Sequence, residues 1–316
     1  MKTRLLRGQR DESKISYPVS YGVEGRLTGL SLGYHRGTSM KNIYKTASLF
    51  SMYAGLGFFA LAAGVLHAAD AQAKSDELIA KSYEIKDVRE VVADGGVKLK
   101  ITQGSTESLR VQAEASLMDQ VSVDLTGQRL TLHIKNKPAR VFDFLRWIDS
   151  RDDEITFILQ VKTLNHIETS GAVETTLGDF DSEMLKISLS GASDLTTKKI
   201  NVGNLSLTLS GASEFDVDEL IANTISADVS GSSNFEVNDS GESQSAQIRA
   251  SGASEFQGKS LKVTTADVEA SGASNIEIHA VDVLSGGASG ASNIHYIGQP
   301  RSTLTATGAA EINAIR

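Results

Sequence analysis

The chain has 316 residues, 40% apolar and 22% charged, enough for one large domain or two modest ones. It has no cysteine, which excludes disulfides, thiolate catalysis, cysteine metal sites and a lipid-modified N-terminal cysteine. The net charge of −8 is unevenly divided: residues 1–73 hold nine Lys/Arg against four Asp/Glu, and residues 74–316 hold 22 against 35. A body this acidic lacks the concentrated basic face that phosphate-backbone binding needs, so nucleic acid is not an expected partner.

Residues 1–39 show neither strand alternation nor helical periodicity. They read as an extension upstream of a start at Met40, or as a disordered tail. From Met40 the layout is that of a secretory signal: the basic flank MKNIYK, an apolar run from Thr46 to Leu66, and small-residue exits at Ala69-Asp70-Ala71 and Ala71-Gln72-Ala73. The alternative for residues 40–73 is an uncleaved anchor, because a run of about 20 apolar residues just spans a bilayer. Either reading exports the rest of the chain to the periplasm, envelope or exterior, and the segment is an expected membrane contact only if it stays uncleaved.

Residues 74–165 read as a leading β-section. YEIKDVREVVADGGVKLKITQG, SLRVQAEA, QVSVDLTGQRLTLHIKN and EITFILQV alternate apolar and polar residues between glycine turns. The expected role is to join the next region and cap its exposed sheet end. One segment, Lys137 to Glu154, breaks the pattern and holds the chain's single Trp, Trp147, with Phe142 and Phe144. It reads as an aromatic loop docking on a membrane or partner, or as a short helix or loop closing the apolar end.

Residues 166–316 are repetitive. ETSGAVET, SLSGASDL, TLSGASEF, DVSGSSNF, RASGASEF, EASGASNI, GASGASNI and TATGAAEI centre on Gly171, Gly191, Gly211, Gly231, Gly252, Gly272, Gly290 and Gly308. The spacings are 20, 20, 20, 21, 20, 18 and 18. Four residues after each glycine stand Thr175, Leu195, Phe215, Phe235, Phe256, Ile276, Ile294 and Ile312. Period-two alternation leads into each glycine, the pattern of a strand with one face inward. Glycine permits the bend, and small neighbours let successive bends stack. A lone turn cannot bury its apolar face, so stacking is required. The predicted fold is all-β: a single-stranded parallel β-helix of about 20 residues per turn, right-handed as such coils usually are, continuous with the capping section.

This combination resembles the family known as putative auto-transporter adhesin, head GIN domain, over roughly residues 84–314. The resemblance rests on GVKLKITQGSTESLRVQAEASLMDQVSVDLTGQRLTLHI, on LNHIETSGAVETT and on the SGAS series, and more loosely on GAAEINA. It implies an exported bacterial β-helix with no established activity. The chain departs from a full autotransporter in ending at Arg316 without a C-terminal barrel, so no translocating or anchoring part is expected.

Chemistry is sought first in the column three residues after glycine: Glu174, Asp194, Glu214, Asn234, Glu255, Asn275, Asn293 and Glu311. Every member is acidic or amide. The column fits a ladder for calcium or a repeating polymer, and equally a solvated outer edge or a hydrogen-bonded asparagine ladder. The paired serines of each bend lack a regularly placed base, and a catalytic site is singular rather than repeated. Carboxylate pairs of the glycosidase kind remain open on numbers alone. Residues 200–248, however, hold no Lys or Arg, and the repeat's Phe residues occupy the core column. The expectation is a non-enzymatic, adhesin-like interaction protein of the envelope or exterior, without cofactor or metal, presenting a repetitive face to a surface, glycan or protein. A polysaccharide-acting enzyme and a structural envelope component without specific ligand are the alternatives.

Overall fold

The computed structural model describes residues 77–135 and 154–315. The signal, the start at Met40 and the aromatic segment with Phe142, Phe144 and Trp147 lie outside the described residues.

Each turn of the repeat is one alternating stretch folded at three corners. Between Asp194 and Leu209, the side chains of Leu195, Thr197, Ile200, Val202, Leu205, Leu207 and Leu209 point into the core. The alternation slips at Lys198–Lys199 and at Gly203–Asn204, where two successive residues stay outside, and each slip turns the strand onto a new side. The third corner is the Ser-Gly-Ala-Ser bend. Gly191 there has φ of 79°, and a Cβ on it would meet the Gly171 carbonyl oxygen at 2.5 Å, so only glycine fits. The next amide, Ala192, donates to that carbonyl at 2.7 Å, and Ala212, Ser232, Ala253, Ala273 and Ala291 repeat the bond at the same length. Ser193 turns its hydroxyl inward to donate to the Ser190 carbonyl at 2.9 Å, as do Ser213, Ser254, Ser274 and Ser292 at their own bends.

The leading section closes the coil's N-terminal end by reversing the chain. Its elements are β1 (Leu78–Tyr83), β2 (Glu90–Gln103), β3 (Ser108–Glu114), a short α1 (Ala115–Met118), β4 (Val121–Thr126), β5 (Arg129–Ile134) and β6 (Thr156–Val161). The stack begins with β2, earlier than the SGAS series: it pairs in parallel with β7 (His166–Leu177), and Gly95 lies on Gly171. On the other side of β2 lie β5 against its first half and β6 against its second, both parallel. Over these lies an antiparallel layer, β4 on β5 and β3 on β6, with α1 between them, and β1 pairs antiparallel with β3. Apolar residues face one another across it: Leu109 is opposite Leu159, Val111 opposite Phe157 and Val123 opposite Leu132.

The remaining strands continue in parallel: β8 (Phe180–Leu189), β9 (Asp194–Leu209), β10 (Glu214–Val229), β11 (Asn234–Ala250), β12 (Glu255–Ala270), β13 (Asn275–Ala288), β14 (Asn293–Ile297), β15 (Arg301–Ala306) and β16 (Glu311–Ala314). Their register places Leu195, Phe215, Phe235, Phe256, Ile276, Ile294 and Ile312 in one column, the predicted interior stripe. Ring centroids are 5.2 Å apart for Phe215–Phe235 and 4.9 Å for Phe235–Phe256, close to the spacing of neighbouring strands. The irregular spacings also have places. The 21-residue turn puts an extra residue in β11 between Val237 and Ser240. In the first 18-residue turn, β13 passes from a residue paired with Gly258 straight to one paired with Lys262. The second side of the coil therefore shortens, and in the second 18-residue turn the chain runs from β14 through residues 298–300 into β15. This is the all-β, parallel-coil architecture the repeats predicted.

Substituting Gly211→Ala is expected to destabilise the protein by at least ~2 kcal/mol, since it forces a side chain to positive φ and against the Gly191 carbonyl. Ala212→Ser, on the exposed next position, should change stability by less than ~0.5 kcal/mol. Denaturant unfolding of the two variants beside the parent checks the contrast.

Candidate ligand-binding face

The side of the coil that follows the glycine corner carries two outward columns, because residues two apart in a strand share a face. The first is the predicted one. Glu174, Asp194, Glu214, Asn234, Glu255, Asn275, Asn293 and Glu311 are brought into a single register. Their acidic members are exposed and the three asparagines half-buried. An internal asparagine ladder is not formed: Asn234 accepts a bond from Gln257 Nε2 at 3.0 Å, and Gln257 also donates to Glu255 at 3.1 Å. At the upper end Lys98 occupies the column, with Nζ 3.3 Å from Glu174 and 2.7 Å from Glu154.

The second column, two residues farther on, includes Thr196, Asp216, Glu236, Gln257, Glu277 and His295. Sequence reading missed it. Strand alternation was signal enough, but the column's residue types vary too much to announce themselves.

Together the columns form an acidic patch over β9, β10 and β11. Asp194, Glu214, Asp216 and Glu236 lie within it, and among the described residues none has a cation or hydrogen-bond donor as side-chain partner. Partial desolvation of its carboxyl, with Glu214 and Glu174 adding to it, pushes Asp194 above its ordinary range although the residue is exposed as a whole. Burial pushes Asp216 further, to about 6, reinforced by the charges of Glu214, Glu236, Asp194 and Asp218. The Asp216 Oδ1 atom is buried without a partner. Toward the C-terminal end the same face is relieved: Lys259 pairs with Glu277 at 2.8 Å, and His295 lies 3.8 Å from it.

The bend serines are used structurally, their hydroxyls donating to main-chain carbonyls. One histidine–serine contact elsewhere joins His166 Nε2 and Ser188 Oγ at 3.4 Å, on the side leading into the corner. Burial and Lys186 lower that histidine's pKa. A mixed-charge recess opens at the corner where the 21-residue turn bulges, between Glu219, Asp239, Glu242, Lys259, Lys262 and His279. The one-residue slip in the glycine spacing was its signal in the sequence.

The family described as "Putative auto-transporter adhesin, head GIN domain" matches residues 87–300. The chain belongs to this family. Among solved structures, a putative adhesin of Parabacteroides merdae is similar at 22% identity and a TM-score of 0.66, over 76% of this chain and 97% of that one. A putative adhesin of Parabacteroides distasonis is similar at 21% identity and 0.64, over 75% and 97%. A protein from the same organism described as a putative lipid binding protein shares 17% identity at 0.64, over 76% and 97%. At these identities the likeness is one of fold. No curated protein matches the chain. The head GIN domain here is thus a filled coil whose side chains are sorted by column, with one outward side left acidic.

The raised pKa of Asp216 gives a signed expectation. A folded carboxyl at about 6 holds its proton more tightly than an unfolded one near 3.8, so the folded state binds more protons within that window. Stability contributed by this group is greatest at the acid side and falls as pH rises through it. Thermal melts against pH should therefore show Asp216→Asn melting higher than the parent above pH 6, with the difference shrinking toward pH 4.

Proposed function

We propose that this chain is an exported, non-catalytic adhesin-like protein that engages a repetitive, cationic partner at or beyond the cell envelope through its acidic side. The observation that carries the reading is the set Asp194, Glu214, Asp216 and Glu236, held side by side without partners among the described residues. Carboxylates at strand spacing repel one another, and burial adds to the cost. A ligand amine or guanidinium would relieve both effects. Carboxylates also accept from hydroxyls, so a basic protein segment and an amine-bearing glycan share the required chemistry, whereas an anionic polymer would be repelled.

The other sides support this choice by contrast. Arg129 bridges Glu90 and Glu168 at 3.4 and 3.0 Å, Arg249 pairs with Glu269 at 3.2 Å, and Lys199 pairs with Glu219 at 2.9 Å. At these places a cation lies against a carboxylate of the neighbouring turn. The family is named for adhesins, which supports a surface role, and no helix among the described residues is long and apolar enough to cross a membrane.

The test is binding of the protein to immobilised basic peptides and amine-bearing glycans, compared with the E214Q/D216N variant. Neutralising two carboxylates should weaken binding on the order of tenfold or more, and added salt should weaken it further. Binding should also fall as pH drops through about 6, where Asp216 takes up its proton. Lys186→Gln, on another side of the coil, should leave affinity unchanged. Equal binding by parent and double variant rejects the acidic side as the site.

A further inference from the structure

The C-terminal end of the coil differs from every other level in what it leaves unpaired. In each turn the carbonyls of the glycine and of the residues two before and two after it accept bonds from the following turn, as Thr169, Gly171 and Ser193 do from Ser190, Ala192 and Glu214. In the last turn the equivalent carbonyls, of Ala306, Gly308 and Ala310, have no such donor among the described residues. The inward side chains there are also uncovered. Leu304, Ala310 and Ile312 are half-exposed and Ala306 and Ala314 exposed, while Ala288, Ser292 and Ile294 one turn earlier are buried. Natural sheet edges are blunted by lysine, proline or bulges. Arg301–Ala314 has no lysine or proline, and its charges are Arg301 and Glu311 alone.

The other end of the same coil shows what covers such an edge. There a two-sided turn, β5 and β6, is overlaid by a reversed layer: the earlier strand β3 runs antiparallel on β6, and the later strand β4 antiparallel on β5. The last turn is two-sided in the same way, β15 before the glycine and β16 after it. It is also symmetric about Gly308. Residues two, four and six before the glycine point inward, as do those two, four and six after it. The same residues direct their main-chain groups off the open edge, since those between them, Thr307, Ala309 and Glu311, donate back to the preceding turn.

We propose that this end is a homodimer interface, in which a second copy is related by a two-fold axis through Gly308. β15 of each copy then runs antiparallel to β16 of the other. Leu304 faces the partner's Ile312, Ala306 faces the partner's Ala310 and Ser302 faces the partner's Ala314. Inward side chains meet inward side chains, free carbonyls meet free amides, and the order of strands is that of the N-terminal cap. No like charges are opposed: Glu311 faces the partner's Thr305, and Arg301 the partner's Ile315. The interface is isologous, as two-fold contacts are.

The experiment is sedimentation of the protein purified after expression of the full chain. The parent is expected to sediment as a dimer. Leu304→Lys, which would bury an unpaired charge between copies, should sediment as a monomer, and so should Ala306→Pro, which removes a main-chain donor from the open edge only. Unchanged β-sheet circular dichroism shows that both variants fold. Because the chain has no cysteine, Leu304→Cys and Ile312→Cys report the register directly: oxidising a mixture should give a disulfide-linked dimer that either variant alone gives far more weakly. A monomeric parent overturns the proposal and points to another occupant of the edge. A dimer that survives both blocking substitutions, or that forms no mixed disulfide, overturns it as well.

Discussion

The fold depends on one contact repeated at a single corner: the amide after each glycine donating to the glycine carbonyl of the turn before, at 2.7–2.8 Å. The bond requires two backbones to pass at a distance no side chain tolerates; a Cβ on any of the stacked glycines from 191 to 272 would meet a carbonyl oxygen at 2.5–2.7 Å. Once this contact forms, register is no longer free. Slipping one residue would turn the apolar set outward on the adjoining sides. The bend serines tighten the same corner from within, so that it is fixed by main chain and side chain together.

Fixed register makes each column a collective property. In apolar columns, like over like is favourable, as the stacked rings of Phe215, Phe235 and Phe256 illustrate. In charged columns it is unfavourable, and the chain treats its sides differently. Where Arg249 lies between Asp228 and Glu269, or Lys199 beside Glu219, the sign alternates with the turn. On the side after the glycine it does not alternate over β9–β11, and burial, with the neighbouring carboxylates adding to it, raises the pKa of Asp194 and Asp216. An unfavourable column retained beside relieved ones is the physical ground for proposing that side as the ligand face.

Much of this was legible because a repeat makes its own alignment. Counting from the glycines alone put Phe215, Phe235 and Phe256 in one stripe and Glu174, Asp194 and Glu214 in another, and both stripes exist. What escaped was whatever lacks a counterpart in the next turn. β2 belongs to the stack, yet its corner reads Asp94-Gly95-Gly96 without the serine pair, and the chain makes the whole β3–β6 excursion before its partner β7 arrives. Alternation tells which residues of a strand share a face, not which strand lies beside it. The column of Asp216 and Glu236 escaped for a related reason: its position was implied by alternation, but its chemistry emerges only when Asp194 and Glu214 are placed beside it.

Individuality in a repetitive coil lies in its departures from the period. A strictly 20-residue repeat would present identical levels, with no unique recess. The one-residue excess in β11 bulges a corner and opens the mixed-charge recess by Lys259 and His279. The two-residue deficits near the C-terminus shorten the second side of the coil, and the outermost described strands, β15 and β16, match a rotated copy of themselves about Gly308. At the N-terminal end the same two-sided form is reached by skipping a side between β6 and β7, and there the chain covers the edge with its own reversed strands. Both ends thus reduce to a pair of strands about a corner, a shape that antiparallel strands can close without breaking the inward alternation.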